Sequence, residues 1–360
     1  MDLLSLISTL TETSGISGQE NRIRDLVKST WLPYVDEVKV DTLGNVIATK
    51  FGSGEEPRDR VMLAAHMDEI GLMVSRIRGS FLSVVPVGGV DLRLLLGQPI
   101  MVHGQRELPG VVGSRPPHIL SKGERNKSVP FEDLVVDTGL EEEEVNKLVR
   151  VGDMVSFRQP MVKLMGDRFG GKALDNRLSV AAIAACLEEM QTRTHVWDIV
   201  AVATVQEAVT MRGATTGAYG VNPTIGIAVD VTFGKGPGVD ASESFELGKG
   251  PTIGYGPNNH PAVHQALVVA AKAIELPHHI EAMPRGSGTD AWAMEVTRAG
   301  LPTGVVSIPI RNMHMPVEIA SLKDVERCGR LIAEFIANLD ANFKTGKLIW
   351  NDGETEEKQA

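Results

Sequence analysis

"TVQEAVTMRGA", residues 204–214, decides how this chain is read. An aliphatic run, 199–205, leads straight into Gln206 and Glu207, and Ala208 comes next. A carboxylate at the end of a buried strand is costly unless it has a partner or a task. The run is short and continuously apolar, which predicts a strand over 198–205 in a sheet covered on both faces. Glu207 then stands where the strand leaves the sheet, and the question becomes what else arrives there.

Other segments follow the same plan. "RVMLAAHMDEIG" gives a strand over 61–65 that runs into His66. A strand over 224–229 ends in Asp230, and "PTGVVSIPI" is a strand with His314 a few residues beyond it. Asp175 sits just before a helix over 178–190. Further helices are expected over 261–274 and 291–298, and a closing helix has Ser321 at its N-cap position. This alternation indicates an α/β fold, with helices covering a central sheet. Near the amino end, a helix over 3–10 precedes Ser17 and Glu20, whose spacing spells a capping box for a helix carrying Ile23, Leu26 and Val27. "EVKVDTLGNVIATK" reads as a hairpin.

The texture changes between 72 and 165. Short alternating runs such as "FLSVVPVGG", "PIMVHG" and "DMVSF" are separated by frequent turns, with one helix around 140–148. That pattern predicts a small β-barrel or sandwich inserted into the parent fold. The expected organisation is a discontinuous α/β unit, 1–71 and 166–345, an inserted β-rich unit, 72–165, and a charged disordered tail, 346–360.

A chain of 360 residues is long for one compact core, in line with that division. Net charge is −10 with no basic stripe, which argues against nucleic acid or an anionic membrane as partner. No apolar run reaches the length of a membrane span, and "MDLLSLISTLTETSG" lacks the positive start of a signal peptide. Cys186 and Cys328 lie in apolar helical segments without CxxC neighbours, so a reducing cytoplasm fits best.

His66, Glu207, Asp230 and His314 fall at or near the carboxyl ends of predicted strands and Asp175 just before a helix, which brings all five to the edge where open α/β sheets build their sites. Two imidazoles with two or three carboxylates are a donor set for zinc, cobalt or manganese. One carboxylate can bridge two metals ~3.5–4 Å apart. Asp68, two residues after His66 on the same side of an extended segment, is placed to orient that imidazole. Bland readings compete: Asp175 as an N-cap, and Asp230 as a turn cap. His103, His118, His195, His260, His264, His278 and His279 are read as structural. "RGSGTDAWAM" is a glycine-rich turn opening a helix, without a nucleotide-binding pattern.

Seven blocks, "AAHMDEIGLMV", "GVVGSRPPHIL", "GKALDNRLS", "TVQEAVTMRGA", "AVDVT", "GSGTDAWAM" and "NMHMPVEIA", resemble in order the dinuclear-metal aminopeptidases. That family includes the tetrahedral TET enzymes and the glutamyl or deblocking aminopeptidases, and some members carry endoglucanase names. The resemblance runs from near residue 1 to about residue 340. It implies a zinc-aminopeptidase-like mixed sheet flanked by helices, with a β-rich dimerisation unit inserted after the first metal ligand. It implies homo-oligomers built from dimers, up to dodecamers, acting on peptides. It implies that His66, Asp175 and Asp230 hold one metal, zinc or cobalt, that Asp175 and His314 reach a second, that Glu207 is the general base and that Asp68 supports His66.

One position departs from the pattern. The family block is close to "VQEEVGLRGA", with a ligand carboxylate directly after the base, and Ala208 stands there. A lost anionic ligand weakens a divalent site, so the expectation is a firmly held first metal and a weak or absent second. The alternatives are a catalytically impaired relative retained for peptide binding or assembly, and, from names alone, a glycoside hydrolase. The last needs two opposed carboxylates and an aromatic-lined cleft, and aromatics are only 4% of the chain.

Overall fold

The computed structural model describes residues 1–121, 123, 129–340 and 342–343, so the tail over 346–360 lies outside the described residues. Two helices, α1 (Leu3–Glu12) and α2 (Asn21–Trp31), precede a hairpin of β1 (Glu37–Val40) and β2 (Val46–Lys50), then β3 (Arg60–His66). Next come β4 (Gly71–Arg78), β5 (Phe81–Val87), β6 (Pro99–His103), β7 (Glu107–Gly113), β8 (Val135–Asp137), α3 (Glu142–Leu148) and β9 (Met154–Phe157). These six strands close into a barrel in the order β4-β5-β8-β7-β6-β9. Two short strands, β10 (Val162–Lys163) and β11 (Arg168–Gly171), lead back to the α/β part. There the chain forms α4 (Leu174–Glu189), β12 (Asp198–Thr204), α5 (Glu207–Thr210), α6 (Arg212–Val221), β13 (Ile225–Phe233), β14 (Thr252–Tyr255), α7 (Pro261–Ala273) and β15 (His279–Ala282). It ends with α8 (Asp290–Glu295), β16 (Thr303–Ile310), β17 (Glu318–Ser321) and α9 (Leu322–Ala337).

The fold is a mixed α/β sheet flanked by helices with a closed barrel attached. The main sheet has the order β1-β2-β12-β3-β13-β16-β14-β15. Its centre, β12, β3, β13 and β16, is parallel. β3 shows why an all-apolar strand forms here. Val61, Leu63 and Ala65 enter a core shared with α1, α2, α4, α7 and α9, whereas Met62 and Ala64 enter a second core against α6 and α8. Period-two alternation thus buries both faces. The barrel has its own core, including Leu72, Val102 and Val155. Helices α4 and α9 touch at Gly329, where an added Cβ would stand 2.7 Å from the Ala182 carbonyl oxygen.

Two local expectations are corrected, and a third, the Ser321 cap position, holds with a different side-chain partner. Ser17 and Glu20 do not form a capping box. The Ser17 hydroxyl donates to Asp68, Glu20 accepts from Gly18 N at 2.7 Å and Gln206 N at 3.2 Å, and α2 begins at Asn21 without a side-chain cap. A buried tertiary acceptor outcompetes the local one. Asp230 does not end its strand either, because β13 continues to Phe233. Its pairing with β3 stops at Ala228 while that with β16 runs on, so β13 passes the end of its neighbour and leaves one side open. Ser321 holds the N-cap position of α9, but its hydroxyl donates to Asp167 at 2.5 Å rather than to the helix.

Leu63 is fully buried at the centre of the main sheet. Leu63→Ala should lower the unfolding free energy by about 2–5 kcal/mol in a denaturant titration. A loss under about 1 kcal/mol would mean the sheet centre is not the packed core described.

Candidate active site

The opening stretch folds as a strand end, a sharp turn and two helices. β12 stops at Thr204, and Gln206 turns the chain with a left-handed φ of 56°. Asn45 clamps the turn: its Oδ1 accepts from Val205 N at 3.0 Å and its Nδ2 donates to Gly213 O at 3.0 Å. Gly213 is needed there, because an added Cβ would lie 2.5 Å from the Val205 backbone. Glu207 opens α5, and its backbone N–H and that of Ala208 each donate to the Asp68 carboxylate at 3.1 Å. Asp68 is fully buried. An anion at the start of a helix turn is a favourable acceptor.

Asp68 therefore does more than orient an imidazole. His66 Nδ1 lies 3.2 Å from the Asp68 carbonyl oxygen and 3.5 Å from its carboxylate. The carbonyl holds the ring, while the carboxylate chiefly fixes the backbone that carries Glu207.

Asp175 is the hub. Its Oδ1 lies 3.0 Å from His66 Nε2 and its Oδ2 lies 3.1 Å from His314 Nε2, so each oxygen faces a different imidazole. The competing N-cap role does not hold: both Asp175 oxygens face imidazoles, and among the described residues no backbone N–H of α4 donates to them. Glu207 Oε2 approaches the same His66 Nε2 at 3.7 Å. Ligand atoms of His66, Asp175 and Asp230 lie within 4.8 Å of one another. All five predicted residues line one cavity of about 550 Å³, joined there by Ala208.

Glu318 was not singled out from the sequence. It is buried, and its two oxygens accept from Asp175 N at 3.0 Å and His314 N at 2.9 Å. It thereby ties together the two loops that carry Asp175 and His314. His314 itself has φ 63°, a strained left-handed value for a non-glycine residue. The signal available in "NMHMPVEIA" was the acid four residues after His314, on a segment that is β-strand, so helical spacing would have misled. Asp290 lies buried nearby, accepting from the Thr204 hydroxyl at 2.6 Å.

The electrostatics are those of crowded acids kept from water. Burial pushes Glu207 up to about 7; His66 opposes this, and Asp290, Asp175 and Asp68 add to it. Burial, with Asp175 and Glu207, also lifts Asp230 well above the ordinary carboxyl range against the pull of His66. Burial would raise Asp175 too, but hydrogen bonds from His314 and His66 outweigh it and hold its carboxyl down. Hydrogen bonding to Asp175 raises His314 despite its partial burial. Such a donor set, with an excess of acid converging on two imidazoles, is chemically matched to a divalent cation.

This arrangement sets a pH dependence in metal-free protein. Folded Glu207 keeps its proton to about pH 7, whereas the unfolded chain releases it near 4.5. The folded state then binds more protons across that window, so stability falls as pH rises through it. The melting temperature of chelated protein should drop between about pH 5 and 7, and added zinc should flatten the slope, because ligands bind metal deprotonated. A melting temperature in chelated protein that is constant or rises over that range would sink this account.

Comparison with known proteins agrees with the geometry. The family model described as M42 glutamyl aminopeptidase matches residues 44–331. The lysyl aminopeptidase of Pyrococcus furiosus is 39% identical over 340 residues, covering 93% of this chain and 96% of that one. The TET aminopeptidase structure from a marine sediment Thaumarchaeota archaeon matches with a TM-score of 0.89 at 34% identity, over 94% of this chain and 97% of that one. A structure of the Pyrococcus horikoshii TET1 peptidase, described as able to assemble into a tetrahedron or a large octahedral shell, matches with a TM-score of 0.82 at 30% identity, over 94% and 100%. The chain is a member of the M42 glutamyl aminopeptidase family.

Proposed function

We propose that this protein is a metal-dependent aminopeptidase that removes N-terminal residues from peptides in the cytoplasm, working as a homo-oligomer. The observation that carries the reading is Asp175, with one oxygen on each of two imidazoles and Glu207 beside the first. His66, Asp175 and Asp230 would hold one divalent cation, zinc or cobalt, and Asp175 and His314 would reach a second. Such a cation supplies Lewis acidity toward a carbonyl and makes water more acidic.

The chain supplies the proton traffic. Glu207 takes a proton from the attacking water and passes it to the leaving amine. Burial raises its proton affinity in the metal-free chain, the direction that favours taking a proton. Asp68 fixes the backbone of Glu207 and Ala208, so the base stays aimed at the cavity. A cavity with Phe233 as its one phenyl or indole ring among the described residues offers little to a sugar, which favours peptide over glycoside.

Ala208 supports the view that the second metal is held weakly. Ala208 lines the cavity at the position where the family pattern implies a carboxylate. The same observation supports the alternative, an impaired relative that binds peptides or serves assembly. The tetrahedral description of the TET1 peptidase supports a homo-oligomer, with the unit over 72–165 as the dimerisation element. Among the described residues no helix is long and apolar enough to cross a membrane, and Cys186 and Cys328 are buried free thiols, in keeping with a reducing compartment. The names lysyl and glutamyl among the relatives leave the preferred first residue open.

Glu207→Gln should lower kcat by about 10²–10⁴-fold on aminoacyl-nitroanilides while metal content stays unchanged; retained activity would remove Glu207 as the base. Protein purified without added metal should carry about one metal per chain and gain activity on addition of zinc or cobalt. Ala208→Glu should raise occupancy toward two and remove the need for added metal. Two tightly held metals in the unaltered protein would refute the weak second site. No turnover at any metal level, with the oligomer intact, would favour the impaired relative.

A further inference from the structure

One acid in the cavity has no role in the chemistry above. Glu281 lies on β15, the edge strand of the main sheet, and is mostly buried. Its Oε1 accepts from the Thr232 hydroxyl at 2.6 Å and its Oε2 from the Thr252 hydroxyl at 2.5 Å. Among the described residues no cation pairs with it, and none figures among the groups that shift its proton affinity. It lines the same cavity as His66, Asp175, Glu207 and His314.

A carboxylate kept partly from water without a cation is costly unless something else meets it. Two hydroxyls orient it, and each oxygen keeps acceptor capacity. Its place relative to the reacting groups follows from the rows of its two partners. Thr232 is two residues beyond Asp230 on the same face of β13, a rise of roughly 6.6 Å. The other partner of Glu281, Thr252, pairs with Ser307, which pairs with Asp230, so the carboxylate bridges the Asp230 row and the Thr232 row on the far side of the sheet. Phe233 and Met283 line the cavity and offer apolar surface to the methylenes of a long basic side chain, leaving its charged head for the acid.

We infer that Glu281 is a specificity-determining residue, selecting peptides whose first residue is lysine or arginine. A basic head group gains a charge-assisted hydrogen bond. A neutral first residue leaves the acid unpaired, and an acidic one is repelled, so discrimination works in both directions. This inference rests on the aminopeptidase reading for the way the substrate enters.

The test compares metal-loaded wild type and Glu281→Gln on lysyl-, arginyl-, leucyl- and glutamyl-nitroanilides. Wild type should prefer the basic substrates. In the variant the lysyl-to-leucyl ratio of kcat/KM should fall about tenfold or more, mainly through KM. An unchanged ratio overturns the inference, including the case in which all substrates slow equally, which would assign Glu281 to the α-ammonium or to the sheet. Calorimetric binding of L-lysinamide and L-leucinamide to the metal-loaded proteins reads the same preference without turnover, and leucinamide binding reports that the variant's site is folded. If nothing is cleaved but lysinamide selectively loses affinity in the variant, the aminopeptidase reading fails and the role of Glu281 stands. If substrates are cleaved with no basic preference, the reverse holds.

Discussion

The structure depends on negative charge held where water cannot screen it. Asp175, Asp230, Glu207 and Asp68 converge with His66 at the open edge of a sheet covered on both faces. Left to itself such a cluster repels and desolvates, as the upward shifts of Glu207 and Asp230 register. It persists because imidazoles stand against Asp175, because backbone N–H groups are aimed at Asp68, and because the packed sheet fixes the geometry. A metal cation would relieve what the protein alone balances only in part.

A second layer of acids works on the backbone. Asp68 gathers the N–H groups of Glu207 and Ala208, Glu318 those of Asp175 and His314, and Glu20 that of Gln206. Each buried acid is spent on a loop that has no regular hydrogen-bond partner of its own, satisfying groups that would otherwise be orphaned. The same bonds set where the cavity-facing side chains stand. Function and loop structure are therefore the same problem here, and a substitution in this layer would be felt in both.

The sheet then grades the cavity along its length. β13 passes the end of β3, which opens a gap beside Asp230 for the reacting groups. Two residues further, Thr232 meets Glu281 from the edge strand, which marks the far wall. Glu281 also meets Thr252, which shares a row with Asp230 through Ser307, so the edge strand is tied to both rows.

By itself the sequence determined the α/β alternation, the inserted β-rich segment and the residue types at strand exits: His66, Glu207, Asp175 and His314 were legible because apolar runs stop abruptly at or near polar residues. Ala208 was legible as a departure only against the family pattern. Tertiary structure alone decided what those residues touch. Ser17 and Glu20 fitted a local cap by spacing, yet both bonded across the chain, because a buried partner distant in sequence outweighs a solvated one nearby. Asp230 reads as a strand end, since nothing in one strand's composition reveals where its neighbour stops. Glu318 and Glu281 gave no sign of their place. Both lie on four-residue strands too short to show periodicity, and their partners, Asp175, His314, Thr232 and Thr252, are brought to them by sheet pairing and loop packing rather than by spacing.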